Sequence, residues 1–355
     1  IQMTNYPLLK SILKMKKSLM TLGVLALFVL MAYGQEKKFA LYSVAFYNME
    51  NLFDTIHDEG KNDYEYLPNG TNQWNTMKYK AKLKNMSEIL SMLSTDKLPM
   101  GPAIIGVSEI ENYRVLEDIL KQPALADRGY QYVHYEGADQ RGVDCAFFYN
   151  PKLFELTNSK LVPYVYINDT VHKTRGFLIA SGNIAGEKMH FIVNHWPSRA
   201  AASPVRERAG EQVRAIKDSL LREDSAAKIV IMGDMNDDPM DKSMAVALGA
   251  KRKPADVGPT DLYNPWWDTL KKGYGTLMYK GKWNLFDQIV FTGNLLGTDR
   301  STLKFYKHEI FRRDFMFQKE GKYKGYPKRT QAGGVWLNGY SDHLPTIIYL
   351  IKEVK

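Results

Sequence analysis

Cysteine is almost missing from this chain: Cys145 is the only one, so no intramolecular disulfide can form. A chain of this length manages without one, because its core can be large. There is no internal repeat and no low-complexity linker. Hydrophobic residues make up 45% of the 355 and charged residues 25%, which is globular composition and excludes a disordered chain. Acidic and basic residues are both missing from residues 18–34, "SLMTLGVLALFVLMAYG". That run is shorter than the roughly 20 apolar residues a membrane span needs. It follows Met15-Lys16-Lys17, and Ala32 and Gly34 place small residues just before Gln35. The pattern is that of a secretory signal peptide cut near Gly34/Gln35, so an exported protein, periplasmic or extracellular, is expected. No cysteine lies near the cut, which argues against a lipoprotein anchor, and no stable membrane insertion is expected after cleavage. Residues before Met15 are expected to be upstream translation. The expected organisation is therefore 1–34 as leader and 35–355 as a single domain, acting as a monomer.

Net charge is +9, but the four lysines of residues 1–34 are the only charges there, and their removal leaves +5. The electrostatic pull toward a polyanion is accordingly modest.

What is present is a succession of short apolar runs separated by turns and a few helices. "LYSVAFYN" (41–48), "AIIGVSE" (103–109), "KMHFIVNHW" (188–196), "AKIVIMGD" (227–234), "LFDQIVFT" (285–292) and "HLPTIIYL" (343–350) read as strands. "KLVPYVYI" (160–167) reads as another, and Asn183–Lys188 as a hairpin. Apolar spacing predicts helices over 75–93, 112–121 and 204–222. Many antiparallel-looking strands with helices interspersed suggest two packed sheets with helices outside.

Polar residues recur at one kind of place, the end of an apolar strand. Asn48 and Glu50 follow the first, Glu109 ends the second, and His195 ends "HFIVNH". Asp234 and Asn236 end "IVIMGDMN", Asp287 enters "DQIVF", and Asp342 and His343 precede the last strand. Singly, such a carboxylate is a turn residue or a cap. Together they form an oxygen-rich set with two histidines and no thiol, suited to Mg²⁺, Mn²⁺ or Ca²⁺ rather than tetrahedral zinc.

The ordered series "YNMEN", "GVSEIEN", "NHWPSR", "GDMND", "FDQIVF" and "SDHLP" resembles the endonuclease/exonuclease/phosphatase family, of DNase I-like fold. The resemblance covers residues 41–350, nearly all of the expected mature chain. It implies a four-layered α/β sandwich, two mainly antiparallel sheets packed between helices. It also implies divalent-metal-dependent hydrolysis of a phosphoester. By the same resemblance Glu109 is the principal metal ligand, with Glu50 and Asp342 in support. Asp234 orients or deprotonates the attacking water, and Asn48 and Asn236 hold Asp234 and the phosphate. His343 binds a phosphate oxygen and is steadied by Asp287. His195 donates to the phosphate or leaving group, and Asn194 touches phosphate. Asp144 either supports His195 or pairs with Arg141. Arg141 and Arg199 are candidates for gripping phosphate with a guanidinium, although Arg199 reads equally well as a solvated helix-entry residue.

The motifs speak to the reaction and leave the substrate open. Residues 301–340 carry nine Lys and Arg against three acids, interleaved with aromatics, and lead into "SDH". Basic and aromatic residues together track a nucleic-acid backbone and stack its bases. The first expectation is an exported nuclease. The alternative is a phosphodiesterase or phosphatase acting on lipid head groups, sphingomyelinase-like, or on small phosphoesters. A non-catalytic binding protein that keeps the fold is the third reading.

Overall fold

Along the first long strand, Val44 and Phe46 bury toward one side while Ala45, Tyr47 and Met49 bury toward the other. A strand apolar on both faces must lie between two layers, and the molecule is built accordingly. The structure, a computed structural model, describes residues 37–167, 169 and 171–354, together with 11, 14–17 and 20. The expected cut at Gly34/Gln35, and most of the apolar run before it, lie outside the described residues.

In chain order the strands are β1 (Lys38–Leu52), β2 (Ile104–Ile110), β3 (Gln131–His134), β4 (Asp144–Tyr149), β5 (Glu155–Val162), β6 (Phe177–Ile184), β7 (Glu187–His195), β8 (Lys228–Asp234), β9 (Ala250–Lys251), β10 (Leu262–Tyr263), β11 (Leu277–Tyr279), β12 (Lys282–Asn284), β13 (Asp287–Thr292), β14 (Lys304–Ile310), β15 (Gln331–Ala332), β16 (Val335–Trp336) and β17 (Thr346–Val354). The α-helices used below are α1 (Thr76–Met92), α2 (Tyr113–Leu120) and α3 (Ser203–Glu223). One six-stranded sheet runs β14-β17-β1-β2-β4-β3, and one seven-stranded sheet runs β5-β6-β7-β8-β13-β10-β9.

Three apolar layers glue these pieces. Phe46, Ile104, Phe147 and Ile348 of the first sheet meet Leu178, Phe191, Met232 and Ile289 of the second. The other face of the first sheet, with Tyr47, Val107 and Phe148, packs under α1 and α2 through Leu83, Met86, Leu116 and Ile119. The outer face of the second, with Ile192, Ile229 and Ile231, packs under α3 through Ala209, Val213 and Leu220. Helix, sheet, sheet, helix is the four-layered DNase I-like sandwich. Asn75 and Asn112 cap α1 and α2, each side chain accepting from backbone N–H groups of the first turn.

Strand starts and stops follow local chemistry. β5 ends at Val162, short of the 160–167 run, because Pro163 has no N–H to extend the ladder. β17 begins just after Pro345. Ala185 and Gly186, both at positive φ (52° and 76°), turn β6 into β7.

Leu41–Lys352 forms one compact unit, and everything described below lies in it. A second unit includes Lys37 and Glu353, whose side chains pair at 2.8 Å. No helix among the described residues is long and apolar enough to cross a membrane.

Candidate active site

Most neighbouring strands are antiparallel, but the middle of each sheet is not. β1 runs parallel to β2 with Asn48 opposite Ser108, and β7 runs parallel to β8 with His195 opposite Asp234. Parallel neighbours finish at the same edge. β13 is antiparallel to β8 and starts there, with Asp287 opposite Asp234. The polar strand ends that lie far apart in sequence thus share one rim. At that rim the β1–β2 and β2–β4 ladders slip register, after Asn48 and after Ser108. Bulges of this kind re-aim side chains. Glu50, Asn51, Glu109 and Asn236 take left-handed backbone, with φ of 46°, 52°, 58° and 51°. Such conformations cost non-glycine residues roughly 1–3 kcal/mol each and cluster at functional sites.

The side chains form a continuous, mostly buried chain. Asp287 Oδ2 lies 2.7 Å from His343 Nδ1. His343 Nε2 lies 3.8 Å from Asp234 Oδ2. Asn48 Nδ2 donates to Asp234 Oδ2 at 3.0 Å and to Glu109 Oε1 at 3.3 Å. His195 Nε2 faces Glu109 Oε1 at 3.6 Å and Asp234 Oδ2 at 3.8 Å. Glu109 Oε2 accepts from the backbone N–H of Asn51 at 2.9 Å. Ser341 Oγ ties the last loop to β1 by donating to the Asn48 carbonyl at 2.8 Å.

The two histidines are driven apart electrostatically. Burial disfavours charge on His343, but Asp287 and Asp234 outweigh it and hold its pKa well above the usual imidazole value. Burial lowers His195 instead, helped by Arg175, Arg141 and the His343 charge. His343 is thus biased toward its charged form and His195 toward its neutral one. Burial pushes Asp234 well above the ordinary carboxylate range, although the neighbouring His343 pulls it back.

Asn48, Glu109, His195, Asp234, Asp287 and His343 are the sequence candidates brought into this cluster. Asn236 stands at its edge, its N–H donating to Asp234 Oδ1 at 2.9 Å and its side-chain amide to the Trp196 carbonyl at 2.9 Å. Glu50 and Asp342 meet beside it on Arg329. Nε of Arg329 lies 2.8 Å from Glu50 Oε1, and Nη2 lies 2.9 Å from Asp342 Oδ2. The other oxygen of Glu50 accepts from the N–H of Thr330 at 2.7 Å.

Three expectations need correction. Asp144 neither supports His195 nor pairs with Arg141: it lies 3.3 Å from His134 Nε2 and accepts from the N–H of Gly137 at 3.0 Å. The Nδ1 of His195 has no partner among the described residues. Asn194 is fully buried and structural, donating to the carbonyls of Ile192 and Met232 at 2.9 and 3.1 Å. Arg199 is neither a phosphate grip nor merely solvated. It lies among Asp237 (3.3 Å), Asp238 (3.2 Å) and Asp241 (2.7 Å) and stacks on Phe286. Arg141 is half exposed, its Nε 3.7 Å from Asp139.

Sequence reasoning missed three residues. Arg329 was legible only as one charge in a basic stretch. Lys82, buried on α1, lies 3.9 Å from Glu50 and donates to the Tyr340 carbonyl at 2.7 Å. Arg175 donates to Asp139 at 2.9 Å and to the Trp196 carbonyl at 3.0 Å, which sets a cation beside His195. Only the tertiary structure brings them in, since no strand-end pattern marks them.

Two histidines held in opposite charge states, convergent carboxylates and a two-sheet frame define a metal-dependent phosphoester hydrolase. Residues 43–352 match the Endonuclease/Exonuclease/phosphatase family, and the chain belongs to it. Solved structures agree on the fold. A family protein from Bacteroides thetaiotaomicron is 14% identical, with TM-score 0.56, covering 90% of this chain and 98% of its own. D. rerio TDP2, solved in complex with a single-strand DNA product, is 15% identical, with TM-score 0.51, covering 88% and 99%. A mannosyl-6-phosphatase from Bacteroides thetaiotaomicron is 14% identical, with TM-score 0.54, covering 87% and 99%. No curated protein matches the sequence.

Proposed function

We propose that this chain is an exported, Mg²⁺-dependent phosphodiesterase that hydrolyses nucleic acid. One observation carries the reading: the unbroken series of neighbours from Asp287 through His343, Asp234 and Asn48 to Glu109, closed by His195. The donor set fits a hard divalent cation. Glu109, His195 and Asp234 each offer a ligand atom within 4.8 Å of the others. Glu109 and Asp342 keep side-chain faces open, 16% and 26% exposed, while Asp234 and Asp287 are buried. In this reading Glu109 holds the ion and Asp342 supports it, with waters completing the shell, as suits Mg²⁺. When bound, the ion neutralises charge on the phosphate oxygens. Glu50 is spent on Arg329 and Thr330 and serves as scaffold.

The protein's own groups do the rest. Asp234, held by Asn48 and by the N–H of Asn236, orients the attacking water and takes its proton; its raised pKa makes it a stronger base than a free carboxylate. The His343 imidazolium donates to a non-bridging phosphate oxygen, and Asp287 keeps it charged and aimed. Neutral His195 donates from Nε2 as negative charge develops in transit. Water attacks phosphorus in line with the leaving oxygen, whose P–O bond breaks.

The nucleic-acid assignment is supported by the basic, aromatic loop 318–329, which carries five Lys and Arg against one acid and ends on Arg329. The likeness to a TDP2 crystallised with single-strand DNA is consistent with it. The second reading, a small phosphoester, is supported by the equal likeness to the mannosyl-6-phosphatase. The test is the purified protein with Mg²⁺, and again with EDTA, on plasmid DNA, RNA, sphingomyelin and bis-p-nitrophenyl phosphate. EDTA-sensitive cleavage of DNA or RNA is expected. Intact nucleic acid alongside a cleaved lipid or small ester moves the substrate to the second reading. No turnover of any phosphoester, with Mg²⁺ or Mn²⁺, overturns both.

A further inference from the structure

A cleft of about 710 Å³ opens directly beside Asp342 and Arg329, within the ordinary ligand-pocket range of about 300–1,000 Å³. One wall is the β11–β12 hairpin, with Tyr279 and Lys280 at its tip. The other is loop 318–329, with Lys322 and Tyr323. Both tyrosines are exposed, 62% and 52%, which nothing in the packing requires of large aromatic rings. Each carries a lysine ammonium near its ring, Lys280 at 5.3 Å from Tyr279 and Lys322 at 5.6 Å from Tyr323.

The cleft is built rather than incidental. Its two walls are tied where the Gly281 N–H donates to the Tyr326 hydroxyl at 2.6 Å. The loop is closed on itself by Gln318 N–H to the Tyr326 carbonyl at 2.8 Å and Lys328 N–H to the Met316 carbonyl at 2.7 Å. The hairpin base is fastened to the hydrolytic centre: Leu277 bridges His343, and Leu344 N–H donates to the Thr276 carbonyl at 2.8 Å. The hydroxyl of the same Thr276 accepts from the Asp287 N–H at 3.2 Å. The walls are thereby held at a fixed place relative to His343 and Asp287.

We infer that this cleft is a subsite for single-stranded nucleic acid flanking the scissile phosphate. Unpaired bases stack on Tyr279 and on Tyr323, and the neighbouring backbone phosphates meet Lys280 and Lys322. The inference rests on the nuclease reading and sharpens it to single strands or frayed ends. In a duplex both faces of a base are covered by its neighbours, so only an unpaired base offers a face to the rings. Stacking of this kind tolerates sequence, because every base has a π-face. A lipid surface also attracts tyrosine and lysine, but these side chains share one cleft with Arg329 and Asp342, which places them on the path to the hydrolytic centre.

The experiment compares wild type, Tyr279→Ala, Tyr323→Ala and Tyr323→Phe with Mg²⁺, on a labelled single strand, the matched duplex and bis-p-nitrophenyl phosphate. Wild type is expected to cleave the single strand faster than the duplex. Each alanine variant raises KM for the single strand about 5- to 150-fold, as loss of one base–aromatic stack does (roughly 1–3 kcal/mol). Turnover of bis-p-nitrophenyl phosphate stays unchanged, and Tyr323→Phe, which keeps the ring, restores the single-strand KM. Single-strand cleavage that both alanine variants perform with wild-type KM overturns the inference while leaving the nuclease reading standing. Wild type that hydrolyses only bis-p-nitrophenyl phosphate overturns the nuclease reading; anisotropy of labelled oligothymidine then decides the cleft, and equal binding by wild type and the alanine variants overturns it too. Binding to vesicles of phosphatidylglycerol that is lost in the same variants, with no oligothymidine binding, assigns the cleft to a membrane and overturns the inference.

Discussion

Asp287 is fully buried, and its charge is answered by His343 at 2.7 Å. Asp287→Asn keeps the shape and removes the charge, so the imidazolium loses the partner that outweighs its burial. Turnover of bis-p-nitrophenyl phosphate should fall by roughly 10²–10⁴, the usual weight of a positioned proton donor or acceptor. A rate within a few-fold of wild type would remove Asp287 from the mechanism. Glu109→Gln tests the metal role separately: calorimetric titration should show loss of high-affinity Mg²⁺ binding, and turnover should drop roughly 10³-fold or more. Unaltered Mg²⁺ binding in that variant would place the ion elsewhere. Strand-end acids and both histidines were legible only as a set, because singly each reads as a turn residue or a cap and it is their recurrence at successive strand ends that stands out. Arg329 and Lys82 were not, because their significance is a distance, 2.8 and 3.9 Å to Glu50, between residues hundreds or tens of positions apart.

At the level of elements, the glycine before Asp234 has a packing reason. A Cβ on Gly233 would lie 2.3 Å from the backbone oxygen of Asn194 on β7, and backbone cannot yield as a flexible side chain does. Gly233→Ala should force β7 and β8 apart, at a cost of about 1–3 kcal/mol. Scanning calorimetry should register this as a fall in Tm of roughly 2–10 °C, with hydrolytic activity falling because His195 and Asp234 end those two strands. An unchanged Tm would refute the close-packing argument. β14 supplies a pH-dependent element. Burial pushes His308 down to about 4, among Trp266 and Phe305, with Thr269 Oγ1 at 3.0 Å. The unfolded chain takes up this proton near the usual 6.5, the folded one near 4, so the stabilisation is complete above about 6.5 and is lost as pH falls toward 4. Urea titrations at pH 7.5 and 5 should show a smaller drop for His308→Phe than for wild type, by about 1–2 kcal/mol. Parallel drops would mean that His308 protonates freely in the fold.

At the scale of the whole molecule, charge and export are the open quantities. The loop 318–329 holds Lys319, Lys322, Lys324 and Lys328 near the proposed substrate path. Converting all four to Gln should flatten the salt dependence of oligonucleotide binding by about 0.7 for each phosphate that is no longer neutralised. An unchanged slope would mean that the loop does not track the backbone. Export is tested by N-terminal mass spectrometry of protein made in a Gram-negative host. A mature chain beginning at Gln35, outside the cytoplasm, is expected; a cytoplasmic chain that retains residues 18–34 would end the proposal.

The amino-acid sequence by itself determined the reaction family and most of the strands. Alternating and continuous apolar runs set where backbone must be buried, and the polar residues at their ends survive as a readable exception. The tertiary structure decided which strands run parallel and how the two sheets pack face to face, and the two together gather Asn48, His195 and Asp234 on one rim. It also decided which acids already have partners: Glu50 the Arg329 guanidinium and the Thr330 N–H, Asp144 the His134 ring and the Gly137 N–H. Coulomb energy depends on separation and burial, and neither is written in the spacing of residues along the chain.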